Sequence, residues 1–129
     1  MPRTLLAKPA SVSAQTQSML AARLVRLDLR HTWTTVMSSS SFRDVIQVSI
    51  IRDGITGTGE GAPIARYHET AVSALRAVES VRELLERADP QQFVPLLAEV
   101  GKRIPGEWAA KAAIAGAVAD FIGQKLDLP

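Results

Sequence analysis

Between residues 24 and 31 apolar and charged side chains alternate, Val25, Leu27 and Leu29 against Arg26, Asp28 and Arg30. A period of two is the mark of a half-buried strand, so structure is expected to begin near Arg23 with those three apolar residues facing a core. Residues 33–41 are dominated by threonine and serine and end in Ser38-Ser39-Ser40-Ser41. Hydroxyls that compete for backbone hydrogen bonds predict a loop there. Val45, Ile46, Val48, Ile50 and Ile51 supply β-branched bulk to a second strand over residues 45–52. Asp53-Gly54 interrupts it and extended structure resumes over residues 55–59. Two such runs joined by Asp-Gly form a strong hairpin signal, which completes a three-stranded antiparallel meander.

The period then changes. Ala71, Ala74, Leu75, Val78, Val81 and Leu85 recur every three or four positions, with Arg76, Glu79, Arg82, Glu83 and Glu86 between them. That spacing predicts an amphipathic helix over residues 70–88, with Glu83 and Arg87 in the favourable i,i+4 order. Asp89-Pro90-Gln91-Gln92 has the form of a capped helix start. Pro95 conflicts with it, since it would fall past the first turn and remove a hydrogen bond; the helix is therefore either irregular there or starts near Val94. The last helix, residues 107–125, is dense in alanine, which costs no rotamer entropy and admits close neighbours. Small residues on most of its faces suggest contacts on more than one side. The expected class is α+β: the meander followed by a bundle of about three helices.

With 129 residues the chain has room for one domain of modest core, taken as residues 23–129 behind a flexible leader, residues 1–22. The leader's apolar run, Leu5-Leu6-Ala7, is too short for a secretory signal. Residues 109–123 are apolar but too short to span a bilayer and include Lys111 and Asp120. No membrane partner and a cytoplasmic location are the default expectations. The absence of cysteine excludes disulfides and thiolate chemistry. A net charge of +2, with lysine and arginine scattered, does not describe a nucleic-acid surface.

Candidate chemistry is thin. Gly57-Thr58-Gly59-Glu60-Gly61 lacks the G-x-G-x-x-G spacing into a helix, so the glycines are read as permitting a close backbone approach or a bulge. Glu60 and Asp120 are each read as hydrogen-bond acceptors for nearby backbone, with catalysis as the alternative. His31 and His68 have no partner at ligand spacing, so neither is expected to bind metal; Glu69, beside His68, should point elsewhere. The serine run has no nucleophile-elbow motif.

Three stretches together carry a resemblance. They are Val45-Ile46-Gln47-Val48 running on through Asp53-Gly54 to Gly59-Glu60-Gly61-Ala62-Pro63; residues 67–70; and Ala110-Lys111-Ala112-Ala113-Ile114 followed by Ala117, Asp120, Gly123, Leu126 and Pro129. In these the chain resembles the N-terminal capping domain of the enolase superfamily, in its muconate-lactonizing and dipeptide-epimerase branch. The resemblance implies a separate (β/α)8 barrel as partner, which holds a lysine base and a Mg2+ ion and removes the proton α to a carboxylate. No catalytic or metal-binding residue is assigned to this chain, which should be inactive alone. It implies a lid that excludes water and touches the distal part of a small substrate, a dipeptide or another carboxylate. By position the candidates are Trp33, Thr35, Met37 and Ser38 in the first loop, and Arg66 and Tyr67 in the loop after the third strand. Some relatives that act on acidic dipeptides carry a basic side chain where Met37 or Ser38 stands here, so a more apolar dipeptide, or a different acid altogether, fits at least as well as an Ala-Glu type substrate. Muconate cycloisomerase and o-succinylbenzoate synthase caps, or a stand-alone binding module, are the alternatives, and a homo-oligomer is left open.

Overall fold

The computed structural model describes residues 17–36 and 38–129. Three antiparallel strands, β1 (Met19–Thr34), β2 (Ser39–Arg52) and β3 (Ile55–Gly61), form one sheet in the order β1-β2-β3. Four helices follow: α1 (Ala71–Ser80), α2 (Arg82–Arg87), α3 (Phe93–Arg103) and α4 (Trp108–Lys125). The α+β class is as expected from the pattern.

Asp53 and Gly54 both take positive φ, 54° and 76°, which gives the mirror-image turn whose twist matches that of the flanking strands. β2 and β3 then pair without a register break from Arg52↔Ile55 to Ile46↔Gly61. Ile46, Val48 and Ile50 of β2 stand beside Gly61, Gly59 and Gly57 of β3 and beside Leu24, Ala22 and Leu20 of β1. This is the face that α4 covers. Ile46, Val48 and Ile50 are fully buried there together with Ile114, Val118, Val78 and Leu85.

The first strand differs from its expected reading in two ways. It starts at Met19, four residues early, and its core side is Leu20, Ala22 and Leu24 rather than Val25, Leu27 and Leu29. Register explains this, because whichever residues pair with Ile46, Val48 and Ile50 must share their face. The visible alternation lay further along, where the strand has left the core. The loop expected over residues 33–41 is also mostly strand. Trp33 pairs with Ser40 and Thr34 with Ser39, after a register shift between Asp28 and Trp33, so β1 and β2 continue as a two-stranded ribbon.

The first predicted helix breaks at Val81. The Ser80 hydroxyl donates to the Ala77 carbonyl (2.6 Å), and the Val81 amide bonds Val78 three residues back (3.1 Å). The turn tightens there and the helix restarts at Arg82. The predicted Glu83–Arg87 pair forms at 2.8 Å. The Asp89 side chain accepts from the Gln91 amide (3.0 Å) in a turn, and α3 begins at Phe93. Pro95 then sits within the first turn, where its missing N–H is no loss.

Candidate functional site

β3 runs antiparallel to β2, so the chain leaves β3 at Gly61 heading toward the ribbon tip. The two segments expected to meet a substrate therefore leave the sheet at the same end. From Ile46, β2 extends back to Ser39, so the ribbon stands out roughly 23 Å beyond the level of Gly61.

At the tip the Thr35 amide donates to the Ser38 carbonyl (2.7 Å), and the Ser38 amide to Thr35 Oγ1 (3.1 Å). Thr34 and Ser39 hydroxyls lie 3.2 Å apart. Lower down, Arg26 grips Asp44 through two bonds, at 2.7 and 2.9 Å, and lies 3.9 Å from the Phe42 ring centroid. The Asp44 carboxyl is held below its ordinary range by that guanidinium. These cross-links stiffen an arm with little core beneath it. Of the expected contact residues, Trp33, Thr35 and Ser38 are gathered and exposed at this tip. Met37 lies outside the described residues, as does the leader over residues 1–16. Val36, which the sequence reading passed over, is fully exposed beside them.

Arg66 and Tyr67 stand on a single 3-10 turn, Ala65–Tyr67, with both side chains exposed. The Tyr67 and His68 amides close the turn on the Ile64 and Ala65 carbonyls, and His68 takes φ 61°. Glu69 then anchors it. Its carboxylate is buried, accepting from the Trp108 amide (2.8 Å) and the Ala109 amide (3.4 Å) at the start of α4. A negative group suits the positive end of the helix dipole. Sequence reasoning missed this residue. The helix has no side-chain cap of its own, since Glu107, which precedes α4 at φ 49°, supplies none. A buried start of that kind needs an acceptor from elsewhere. The Glu107 carboxylate instead accepts from the Ser73 hydroxyl (3.0 Å), tying α1 to the same corner. Trp108 is exposed nearby, with the Lys111 ammonium 3.9 Å from its ring centroid.

The two acidic candidates, Asp120 and Glu60, both accept hydrogen bonds within the fold. Asp120 accepts from the Thr58 amide (2.8 Å), and Gln124 Nε2 donates to the Thr56 carbonyl (2.7 Å). Together they cover the free edge of β3, which would otherwise invite pairing with another chain. Asp120 is exposed and accepts from strand backbone, in keeping with its reading as a backbone acceptor. Glu60 accepts from Gln47 Nε2 (3.0 Å), a side-chain amide rather than backbone, while Gln47 Oε1 accepts from Arg23 (3.0 Å) on the outer face of the sheet. The glycine motif gives a close approach and no bulge: a Cβ on Gly57, Gly59 or Gly61 would overlap the carbonyl oxygen of Ala117, Ala113 or Ala109 respectively. Among the described residues, no three His, Cys, Asp or Glu side chains cluster to hold a metal ion. The described residues do not fit a Mg2+ site. No described helix is long and apolar enough to cross a membrane.

This architecture has clear relatives. The chain is 34% identical over 103 residues to the L-Ala-D/L-Glu epimerase of Bacteroides thetaiotaomicron, a match covering 80% of this chain and 27% of that protein. To the L-Ala-D/L-amino acid epimerase of Pedosphaera parvula it is 35% identical over 111 residues, covering 80% of this chain and 30% of the relative. A solved dipeptide epimerase from Enterococcus faecalis, complexed with Mg and the dipeptide L-Leu-L-Tyr, superposes with TM-score 0.79 at 26% identity, over 85% of this chain and 32% of that one. The chain thus matches less than a third of the length of each. Residues 20–129 match the family described as mandelate racemase / muconate lactonizing enzyme, N-terminal domain, and the chain belongs to that family, the capping domains of the enolase superfamily.

Proposed function

We propose that this chain acts as the lid and specificity domain of a dipeptide-epimerase-like enzyme whose chemistry is housed in a separate barrel unit. The observation that carries this is the placement of the ribbon tip and the Ala65–Tyr67 turn at one end of the sheet, each cross-linked by its own hydrogen bonds and each presenting exposed side chains. Rigid scaffolding under exposed loops is the usual way a fold offers binding residues. In this reading Trp33, Thr35, Met37 and Ser38 on one side, and Arg66 and Tyr67 on the other, close over the barrel mouth. They exclude water and touch the part of the substrate farthest from the reacting carbon. The chain's own residues bind and orient; abstraction of the α proton, and the Mg2+ that supports it, belong to the barrel. Its likeness to an L-Ala-D/L-Glu epimerase and to a dipeptide epimerase supports a dipeptide as substrate. An apolar and hydroxyl-bearing tip, with no cation among Trp33, Thr35, Val36, Met37 and Ser38, favours an uncharged or apolar distal residue over a glutamate.

The test is to join this chain to the barrel portion of the Bacteroides relative and assay α-proton exchange on a panel of dipeptides. Ser38→Arg should raise kcat/KM for acidic over apolar dipeptides by about tenfold or more, the worth of one charge-assisted hydrogen bond. Equal effects on every dipeptide would remove Ser38 from the substrate's surroundings.

A further inference from the structure

The alternation of Val25, Leu27 and Leu29 marks β1 as a strand, yet its own core takes other side chains. Leu20, Ala22 and Leu24 pair with Ile50, Val48 and Ile46 on the covered face, which puts Val25 and Leu27 on the outer one. Leu27 leaves 39% of its surface to solvent there.

The edge of β1 is also unclaimed over much of its length. The Leu20 amide and carbonyl point away from β2, to Glu86 (3.1 Å) and Arg82 (2.7 Å). Pairing with β2 runs unbroken from Met19↔Ile51 to Asp28↔Phe42, so the same direction recurs at every second residue. Ala22, Leu24, Arg26 and Asp28 therefore turn their amides and carbonyls outward as well. Asp120 and Gln124 cover the far edge of the sheet, and α2 covers Leu20. Among the described residues nothing covers the backbone groups of residues 22–28.

Charge makes this open edge complementary to itself. In an antiparallel pair of β1 strands centred on Leu27, Arg26 stands opposite Asp28, Leu27 opposite Leu27, and Val25 opposite Leu29. Arg26 and Asp28 are both outward residues, so each such pair exchanges both its N–H···O bonds. Centring on Arg26 instead would set that arginine against itself, and centring on Val25 would leave both charges facing apolar residues. The side chains are also available. Arg26 spends Nε and Nη2 on Asp44, which leaves Nη1 uncommitted, and Asp28 forms no ion pair among the described residues.

We propose that β1 is a dimerisation edge, on which two copies of this chain pair antiparallel across a two-fold axis at Leu27. Their three-stranded sheets join into one. Val25, Leu27 and Leu29 of both copies form a single apolar strip on its outer face, and the Arg26–Asp28 pairs lie on the other. The pairing stands apart from the lid reading and needs no second protein.

Sedimentation velocity of the full chain over a dilution series, with amide hydrogen exchange alongside, tests it. The wild type should move from its 13.9 kDa mass toward twice that value as concentration rises. Asp28→Arg sets like charges opposite each other in both pairs and should weaken association by about tenfold or more. The double variant Arg26→Asp/Asp28→Arg returns opposite charges to the same register and should recover it. Ala22, Leu24 and Arg26 amides should exchange more slowly in the wild-type dimer than in Asp28→Arg, while those of Val25 and Leu27, turned toward β2, stay unchanged. A wild type that remains monomeric throughout would overturn the proposal, as would a dimer that Asp28→Arg leaves intact or a double variant no better than Asp28→Arg. Slow exchange of the outward amides in a monomer would assign the edge to a segment of the same chain and equally rule out the dimer.

Discussion

Gly57, Gly59 and Gly61 line one side of β3 and face Ala117, Ala113 and Ala109 of α4. Two strand residues advance about 6.8 Å and four helix residues about 6 Å, so a G-x-G-x-G strand and an A-x-x-x-A-x-x-x-A helix run nearly in step. Contact is backbone to backbone, which neither element can relieve by turning a side chain. Gly59→Ala is therefore expected to destabilise by about 3 kcal/mol, read by chemical denaturation. Gly101→Ala, with open space around it in α3, should instead stabilise by about 0.5–1 kcal/mol. Glu69→Ala would strip the Trp108 and Ala109 amides of their acceptor and should cost about 1–3 kcal/mol, with faster amide exchange at those two positions. The glycine run and the alanine helix were each legible in the sequence as admitting a close neighbour, but not as each other's partner. Glu69 was not legible as an anchor, because its partners lie 39 and 40 residues away and only the fold brings them together.

At the scale of elements, the start of β1 is clamped to α2. Leu20 points its amide and carbonyl away from β2, where the Glu86 carboxylate accepts the former (3.1 Å) and Arg82 donates to the latter (2.7 Å). Two helix side chains thereby stand in for a fourth strand. Arg82 also grips Glu79 at 2.7 Å, which holds the Glu79 carboxyl below its ordinary range. A carboxyl depressed in the folded state contributes stability above its unfolded pKa and loses it as pH falls through the folded one. Asp44 and Glu99 shift the same way, through Arg26 and Arg103. All three are exposed enough for solvent and salt to reduce the effect. Thermal stability should decline as pH drops below the ordinary carboxylate range, and less steeply in Arg82→Met, which should also release the Leu20 amide to exchange. None of this clamp was foreseen, since the strand was expected to begin at Arg23, past Leu20. Hydrophobic periodicity located all three strands and the apolar face of the first helix. It missed the break at Val81, which a side-chain hydrogen bond imposes without disturbing the apolar spacing. It took the ribbon for a loop because, away from the core, a serine- and threonine-rich pair of strands carries no apolar alternation to read.

For the molecule as a whole, one end of the sheet presents the exposed ribbon tip and the Ala65–Tyr67 turn, while a different surface, between α3 and α4, carries an open apolar groove. That arrangement suits the proposed lid, which would close over a reaction centre housed elsewhere. Sequence resemblance named the family because the DG turn, the glycine strand and the alanine helix are all demanded by one packing geometry. It could not place the groove between α3 and α4, whose walls come from residues 93 to 129 and whose shape depends on the reversed tail. The most direct measurement is deuterium incorporation at the α carbon of a dipeptide panel in heavy water, followed by proton NMR. The chain alone, with and without Mg2+, should leave every dipeptide unexchanged, and the same chain joined to a relative's barrel should exchange a subset of them. Exchange by the isolated chain would contradict the account at its centre.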